Sequence, residues 1–345
     1  MAEIAGQPDA LRRAAAGLTE QRSALSGLTG IERGRPVIFT GMGSSYHACY
    51  PAVTHLASAG IPAIHVDSSE LLHFRANLLP EAAALVAVSQ SGESAEIVRL
   101  LDHLGGLGRR PRLVAVTNGT SSSLATHADD VLDTRAGEET GPSTMTFAAA
   151  LVVLSAVGRI VAGDDGGAVL DELVPRAGSV AAAIEELLSL AALPRTLGEH
   201  LGGRETFVIL GRGPARAAAE MGALTLKEAA GLPIESYQTA QFRHGPLELA
   251  GVDLAAIVIA TEPATRDLDL GFARELADAG AAVLVVAEEA ETPATVMRIA
   301  LGPLDHAIAP AASIVPAQLL AWRLAVLQGR EPGSYLQAAK VTTRE

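Results

Sequence analysis

The chain has 345 residues, 49% of them hydrophobic and 3% aromatic, and a formal net charge of −13 at pH 7. Such an acidic balance argues against nucleic acid and anionic membrane surfaces as partners. The apolar runs stop short of the ~20 residues that a membrane helix needs, and the first residues lack a signal-peptide pattern. One cysteine, Cys49, allows no internal disulfide, so we expect a cytoplasmic protein without membrane contact.

Short apolar strands alternate with amphipathic helices along most of the chain. Residues 1–29 predict a helical segment, and residues 30–161 a first α/β domain. A Gly- and Asp-rich junction opens a helical linker at 162–201. A second α/β domain follows at 202–328, and residues 329–345 predict an irregular tail.

Four segments recur at a constant offset of 170 or 171 positions. Residues 36–45 resemble 206–215, 59–62 resemble 230–233, 85–89 resemble 256–260, and 113–117 resemble 283–287. A constant offset predicts two copies of one structural unit. Because strands alternate with helices, we expect each copy to be a parallel sheet covered by helices on both faces.

A hydroxyl-rich turn follows the apolar run at residues 85–88. Ser89, Ser91 and Ser94 supply hydroxyls, Gly92 permits close backbone approach, and a helix is predicted from residue 95. Hydroxyls before a helix N-terminus predict an anion site, for a phosphate in the first place, with another tetrahedral anion such as a sulfonate as the alternative. The alternative is a plain strand-to-helix turn with Ser94 as the helix N-cap.

The two copies differ in chemistry at these turns. The first copy has Ser44 and Ser45 after its first strand, in addition to the serines at 89–94. In the second copy the equivalent of the serine-rich turn carries Glu262, which would repel a phosphate. We therefore expect only the first copy to bind the anion.

Nucleotide and metal cofactors are not expected. The Gly-x-Gly turns at 41–43 and 211–213 lack the third glycine of a dinucleotide site and the Lys-Ser/Thr ending of a P-loop. The histidines do not follow a metal-ligand spacing, and one cysteine makes a zinc site improbable.

Several motifs together resemble the SIS (sugar isomerase) domain family. This family includes the isomerase halves of glutamine–fructose-6-phosphate aminotransferases and stand-alone amino-sugar phosphate deaminases. The motifs lie in the same order as in the family, at residues 43–46, 89–94, 226–228, 243–247 and 339–340. The resemblance implies an α/β fold of two tandem SIS domains, each a flavodoxin-like three-layer sandwich.

The resemblance also implies roles for individual residues. Glu228 would move a proton between C1 and C2 of the sugar, His244 would open the ring, and Lys340, on a tail over the active site, would form an imine. The 6-phosphate would be held by Ser44, Ser45, Ser89, Gln90, Ser91 and Ser94, with Gly43, Ser143, Thr144 and Thr225 as further pocket residues. A homodimer with shared active sites, in which His244 completes the neighbour's pocket, is expected.

Each catalytic assignment has a structural alternative. Glu228 is also compatible with an exposed helix position beside Lys227, His244 with a loop residue making one hydrogen bond, and Lys340 with a solvated tail residue.

Departures from the family bear on the reaction. Thr225 and Met145 stand where the aminotransferases have lysines, and we expect a protein without the glutaminase domain of the aminotransferases. We expect a phosphosugar isomerase/deaminase acting on a hexose 6-phosphate, most consistent with glucosamine-6-phosphate deamination. The alternatives are a plain aldose–ketose isomerase and a non-catalytic sugar-phosphate sensor.

Overall fold

The computed structural model describes residues 1–289, 293–337 and 339–344. The helices are α1 (Ala2–Ala5), α2 (Gln7–Leu18), α3 (Arg22–Leu28), α4 (Gly43–Ala48), α5 (Tyr50–Ser58), α6 (Ser68–Phe74), α7 (Ala95–Gly105), α8 (Ser123–His127), α9 (Met145–Ala162), α10 (Gly166–Ser189), α11 (Leu193–Leu201), α12 (Arg216–Ala230), α13 (Thr239–Phe242), α14 (Arg266–Asp278), α15 (Pro310–Ser313) and α16 (Val315–Leu327). The strands are β1 (Val37–Thr40), β2 (Ala63–His65), β3 (Ala84–Val88), β4 (Arg112–Thr117), β5 (Asp130–Asp133), β6 (Thr206–Gly211), β7 (Ile234–Gln238), β8 (Leu254–Ile259), β9 (Ala282–Ala287) and β10 (Val296–Ala300).

The chain divides into two compact units, each with one sheet. The first unit contains Asp9–Glu139, Ser143–Gly178 and the tail from Gln337 onward. The second contains Met1–Pro8, Thr140–Pro142 and Ser179–Leu336. Each unit therefore combines residues that are distant in the sequence.

The first unit has a five-stranded sheet in the order β2-β1-β3-β4-β5, and all its strand pairs are parallel. Every residue of β1 and β3 is buried. Helices therefore cover both faces of these strands, which explains why their sequences are continuous apolar runs instead of alternating patterns.

The sheet of the second unit has the same order, β7-β6-β8-β9-β10, and is also parallel throughout. Even the register is repeated: Ile38 of β1 pairs with Leu85 of β3, and the residues at the repeat offset, Val208 and Ala256, pair in the second sheet. The predicted fold of two tandem α/β domains is confirmed.

Helix α7 illustrates how amphipathic helices cover the first sheet. Ile97, Leu100, Leu101 and Leu104 are buried in one core cluster with strand residues such as Leu85. Their spacing of three and four positions forms one apolar face of the helix. Burial of this face positions the N-terminus of α7, directly after the serine-rich turn.

Two described stretches are long and apolar enough to cross a bilayer by length and composition, contrary to the expectation from the sequence. They are Met145–Ala162 and Pro310–Leu327, and the bent pair α10–α11 would make a third span. In the two single stretches, 89% and 78% of the window is buried inside the protein. This apolar surface is used in core packing.

The segments outside the repeats also have defined structure. The leading segment forms three helices, α1 to α3, and the linker forms α10 and α11. The described residues after α16 form turns and bends without a helix or strand, and residues 338 and 345 of the predicted tail lie outside the described part.

Candidate active site

The first unit places two turns beside each other at one sheet edge. Strands β1 and β3 are parallel neighbours, and each is followed by a turn and a helix, α4 and α7. Strand β2 lies on the other side of β1, so the strand order reverses between β1 and β3. Ligands of open α/β sheets bind in the crevice at such a switch point, outside the carboxyl ends of the strands.

Glycines allow the turns to approach each other closely. A Cβ atom at Gly41 would lie 2.8 Å from the Val88 carbonyl oxygen. Gly92 has φ +67°, and a Cβ there would lie 2.1 Å from Ser122 Oγ. Both positions therefore exclude a side chain, and Gly92 also needs the left-handed backbone that glycine adopts readily.

The serine turn, defined as residues 89–94, has a compact hydrogen-bond pattern. Ser89 Oγ accepts from the Gly92 amide at 3.1 Å, Ser91 Oγ accepts from the Glu93 amide at 3.2 Å, and the hydroxyls of Ser89 and Ser94 are 3.4 Å apart. Ser94 is the N-cap residue of α7, but its side chain makes no capping hydrogen bond. The hydroxyl that a simple cap would use is thus oriented toward Ser89.

A cleft, here called the strand-end cleft, lies beside these turns. Ser44 Oγ donates to Ser143 Oγ at 2.9 Å, which connects the first turn of α4 to the segment before α9. The cleft is lined by Ser44, Ser45, Val88, Gln90, Val116, Thr134, Thr146, Phe147 and Ala150. Three of the predicted phosphate ligands therefore share one wall with the N-terminal turn of α9.

Lys340 is docked on the same unit. Its Nζ lies 2.7 Å from Glu139 Oε2, and the two side chains are 20% and 0% exposed. The Ala95 amide, at the start of α7, donates to the Thr342 carbonyl at 3.0 Å. Lys340 is thus a bound, mostly buried residue and not the solvated tail residue of the structural alternative.

Glu139 was not identified from the sequence. It follows Glu138 in a polar segment, which is typical of an exposed loop, yet its side chain is fully buried. The sequence contained one indication of its role: Glu139 precedes Thr144 and Thr146, at the start of α9. Acidic groups at such positions accept hydrogen bonds from the free amides of the helix N-terminus.

The second unit carries the other predicted residues. Glu228 is half-buried on α12, and one turn earlier Thr225 is buried and donates to the Met221 carbonyl at 2.9 Å. His244 is exposed, in a turn fixed by a hydrogen bond from its amide to the Gln241 carbonyl at 3.0 Å. Gly245, with φ +123°, follows it. The roles of these residues remain predictions.

The second unit also has an acidic turn, residues 261–265, at the position equivalent to the serine turn. Burial raises the pKa of Glu262 to about 7; the Ala215 amide and Arg266 oppose the shift, while Glu288 and Asp269 add to it. His306 Nδ1 lies 3.7 Å from Glu262 Oε2.

Charged neighbours complete this acidic turn. Asp269 accepts hydrogen bonds from Arg212 Nε at 2.7 Å and from Thr265 Oγ1 at 3.0 Å, and Arg266 forms an ion pair with Glu288. The protein's own carboxylates thus pair with the nearby arginines, which leaves this edge poorly suited to an added anion.

The structure also bears on the role of the single cysteine and on metal binding. Cys49 is buried, burial raises the pKa of its thiol, and its Sγ donates to the Ser45 carbonyl, so it is a packing residue and not a nucleophile. Among the described residues, no group of three or more His, Cys, Asp and Glu side chains is arranged as metal ligands.

Comparison with known proteins supports the organisation of the chain as two copies of one domain. The SIS domain family matches residues 31–158 and 201–328, one match for each repeat. A glutamine–fructose-6-phosphate aminotransferase (isomerizing) from Pyrobaculum aerophilum is 30% identical over 346 residues. The alignment covers 99% of this chain and 57% of that relative, so the chain spans little more than half the length of the relative.

Solved structures share the whole fold. The C-terminal domain of glucosamine-fructose-6-phosphate aminotransferase from Francisella tularensis superimposes with a TM-score of 0.85, at 23% identity, over 96% of both chains. The TM-score is 0.81 for tagatose-6-phosphate ketose/aldose isomerase from Escherichia coli, at 21% identity over 96% of this chain and 93% of that one. It is 0.73 for glucosamine-6-phosphate deaminase from Thermotoga maritima, at 20% identity over 98% of both. At these identities the likeness establishes the fold.

Proposed function

The chain belongs to the SIS domain family, and on that premise we propose that it is a phosphosugar isomerase/deaminase whose substrate is an amino-sugar 6-phosphate. The reaction we favour converts glucosamine-6-phosphate and water into fructose-6-phosphate and ammonia. The observation that carries the proposal is the presence, in one unit, of a hydroxyl-lined strand-end cleft and a docked, mostly buried lysine.

The phosphate would anchor the substrate far from the reacting carbons. Hydroxyls of the serine turn and the amide dipoles at the start of α7 are suited to an anion. Binding energy from this remote group can be used to orient C1 and C2.

The chemistry would then follow from three side chains. His244 would transfer a proton to the ring oxygen on opening, and Glu228 would move the C2 proton to C1, which leaves an iminium at C2. The neutral amine of Lys340 would add to C2, ammonia would leave, and water would hydrolyse the lysine imine to release the ketose.

A direct assay tests the proposal. Ammonia and fructose-6-phosphate are measured with glucosamine-6-phosphate, with unphosphorylated glucosamine as the comparison substrate. In parallel, exchange of the C2 proton is followed in deuterated water. Lys340→Ala should abolish ammonia release and leave exchange, whereas Glu228→Gln should abolish both. Lys227→Ala, on the exposed neighbour of Glu228, is the matched control and should retain activity.

A plain aldose–ketose isomerase is the second candidate, favoured by Thr225 and Met145 at positions where the family's aminotransferases have lysines. Proton exchange without ammonia release, unaffected by Lys340→Ala, would establish it. Binding of several sugar phosphates without any exchange would instead indicate a sensor and refute catalysis.

The proposal includes a homodimer with shared sites and a cytoplasmic location. His244 is exposed, as a residue serving a neighbouring subunit would be before assembly. Mixing inactive His244→Ala with inactive Glu228→Gln protein should restore up to about a quarter of the activity if dimers exchange subunits. Recovery that fails in a verified mixed dimer would contradict shared sites.

A further inference from the structure

The carboxylate of Glu139 is the centre of a buried polar cluster at the start of α9. Its Oε1 accepts from the Thr144 amide at 2.8 Å, the Thr144 hydroxyl at 2.9 Å and the Thr146 amide at 3.3 Å. Its Oε2 accepts from the Thr146 hydroxyl at 2.5 Å and from Lys340 Nζ at 2.7 Å. Four hydrogen bonds from Thr144 and Thr146, in addition to the one from Lys340, thus fix the carboxylate in position.

This cluster connects the tail with the strand-end cleft. Thr146, which donates to Glu139, lines the cleft together with Ser44 and Ser45. Ser143, next to Thr144, accepts from Ser44. Lys340 and Thr146 thus donate to the same oxygen of Glu139, and Thr146 lines the cleft. Glu139 therefore holds the lysine amine close to the predicted phosphate site.

The choice of lysine at this contact is informative. The chain contains two lysines, Lys227 and Lys340, against 24 arginines. Other ion pairs with buried carboxylates use arginine, as in Arg112–Asp130 and Arg212–Asp269. Arginine pairs with carboxylates in two-point geometry but cannot give up its proton, whereas a lysine amine can become a nucleophile.

We propose that Glu139 is a positioning residue that docks Lys340 beside the strand-end cleft and accepts the proton that the lysine must lose before it reacts. The inference rests on the proposed function and adds to it a group that lies outside the family motifs at residues 43–46, 89–94, 226–228, 243–247 and 339–340. Glu139 acts through Lys340 and does not touch the sugar.

The proton transfer balances without any further reactant. An Nζ–H bond breaks and an Oε2–H bond forms along the existing hydrogen bond, so ammonium and carboxylate become amine and carboxylic acid at unchanged net charge. The amine then replaces ammonia at C2, and hydrolysis of the imine returns Lys340 as an ammonium. The proton on Glu139 leaves with the ammonia as an ammonium ion.

The first test separates the two half-reactions. Glu139→Gln keeps the side-chain shape and most hydrogen-bond partners but can neither pair with nor deprotonate Lys340. Ammonia release should fall about 100-fold while C2 proton exchange, which depends on Glu228, changes less than about threefold. Glu139→Asp should recover part of the ammonia release. Parallel loss of both half-reactions, or unchanged ammonia release, would overturn the proposal.

A double variant tests whether Glu139 acts through the lysine. In the Lys340→Ala background, Glu139→Gln should cause no further change in either reaction, because the partner is already absent. A further loss of proton exchange would assign Glu139 a general structural role and contradict the proposal.

A chemical measurement is independent of the reaction. Trace acetylation followed by peptide mapping reports on both lysines of the full chain, and Lys227 serves as the internal standard. Glu139→Gln should raise the acetylation rate of Lys340 relative to Lys227 about tenfold, because the amine is no longer held in its mostly buried position; a tenfold change corresponds to roughly 1.4 kcal/mol of docking free energy. An unchanged ratio refutes the docking role. A raised ratio in a protein that lacks hexose-phosphate activity would support the docking and refute only the proposed function.

Discussion

The serine turn and the acidic turn occupy equivalent places in two copies of one fold, yet they have opposite chemistry. The serine turn has the hydroxyls of Ser89, Ser91 and Ser94 ahead of an 11-residue helix, and its one carboxylate, Glu93, accepts hydrogen bonds from the amide and hydroxyl of Ser123. The acidic turn has Glu262 among paired arginines and carboxylates. The fold fixes where a ligand can lie, and the side chains decide whether that place remains open to an anion.

A carboxylate introduced into the serine turn of the first copy should have the largest effect, a loss of affinity for the sugar phosphate. Ser91 is the position equivalent to Glu262, at the repeat offset of 171. A carboxylate at about 4 Å from a bound phosphate costs about 4 kcal/mol at an effective dielectric constant of 20. Ser91→Glu should therefore weaken glucosamine-6-phosphate binding about 100- to 1000-fold, measured by titration calorimetry.

The neutral variant Ser91→Gln has the same length and is the control. It should lose less than about tenfold in affinity. Equal losses for the two variants would mean that bulk, and not charge, distinguishes the two turns.

Neutralising Glu262 should remove a pH-dependent cost from the second copy. The pKa of Glu262 is raised from its ordinary 4.5 to about 7 in the folded protein. Between these values the folded state holds a proton that the unfolded state has released, so rising pH destabilises the fold until about pH 7. Glu262→Gln has no titratable group at this position, so it should not lose stability as the pH rises.

Urea unfolding at pH 5 and pH 8 measures the difference. We expect Glu262→Gln to be more stable than the unmodified protein by about 2 kcal/mol at pH 8 and by much less at pH 5. Glu186→Gln, at an exposed position of the same unit, should show no such change. A stabilisation independent of pH would rule out the titration of Glu262 as its cause.

The smallest predicted effect separates an anion ligand from a helix cap. Ser94 makes no side-chain cap to α7, whereas Asp67 caps α6 by accepting from the Glu70 amide at 2.9 Å. Ser94→Ala should change the free energy of unfolding by less than about 0.5 kcal/mol, against about 1 kcal/mol for Asp67→Ala.

Affinity for the sugar phosphate should show the reverse order. Ser94→Ala should weaken binding about tenfold because a hydrogen bond to a charged group is lost. Asp67→Ala should leave it unchanged. A large stability loss for Ser94→Ala without any change in affinity would restore the cap interpretation.

The two sheets were predictable because each strand can be recognised from a local pattern of apolar residues in the sequence. Strands buried on both faces, such as β3 and β8, give continuous apolar runs. The offset of 170 or 171 then identified the equivalent strand in the other copy. Identical strand order in the two sheets follows from the duplication.

Glu139 and the state of Glu262 depend on distant contacts and were not predictable. Glu139 is paired with a lysine 201 positions away. The pKa of Glu262 depends on burial and on Glu288 and Asp269, which its sequence neighbours do not reveal. The sequence alone indicated only that a carboxylate at 262 would repel a phosphate.

The order of protein synthesis gives the Glu139–Lys340 pair a consequence for folding in the cell. Glu139 leaves the ribosome 201 residues before its cation, a delay of about 10 to 40 s at typical elongation rates. During that time the first unit holds a buried carboxylate without its counter-charge, which is costly. We therefore expect the first unit of a nascent chain to reach full stability only after Lys340 has been synthesised, and chains truncated before Lys340 to be cleaved more readily by proteases.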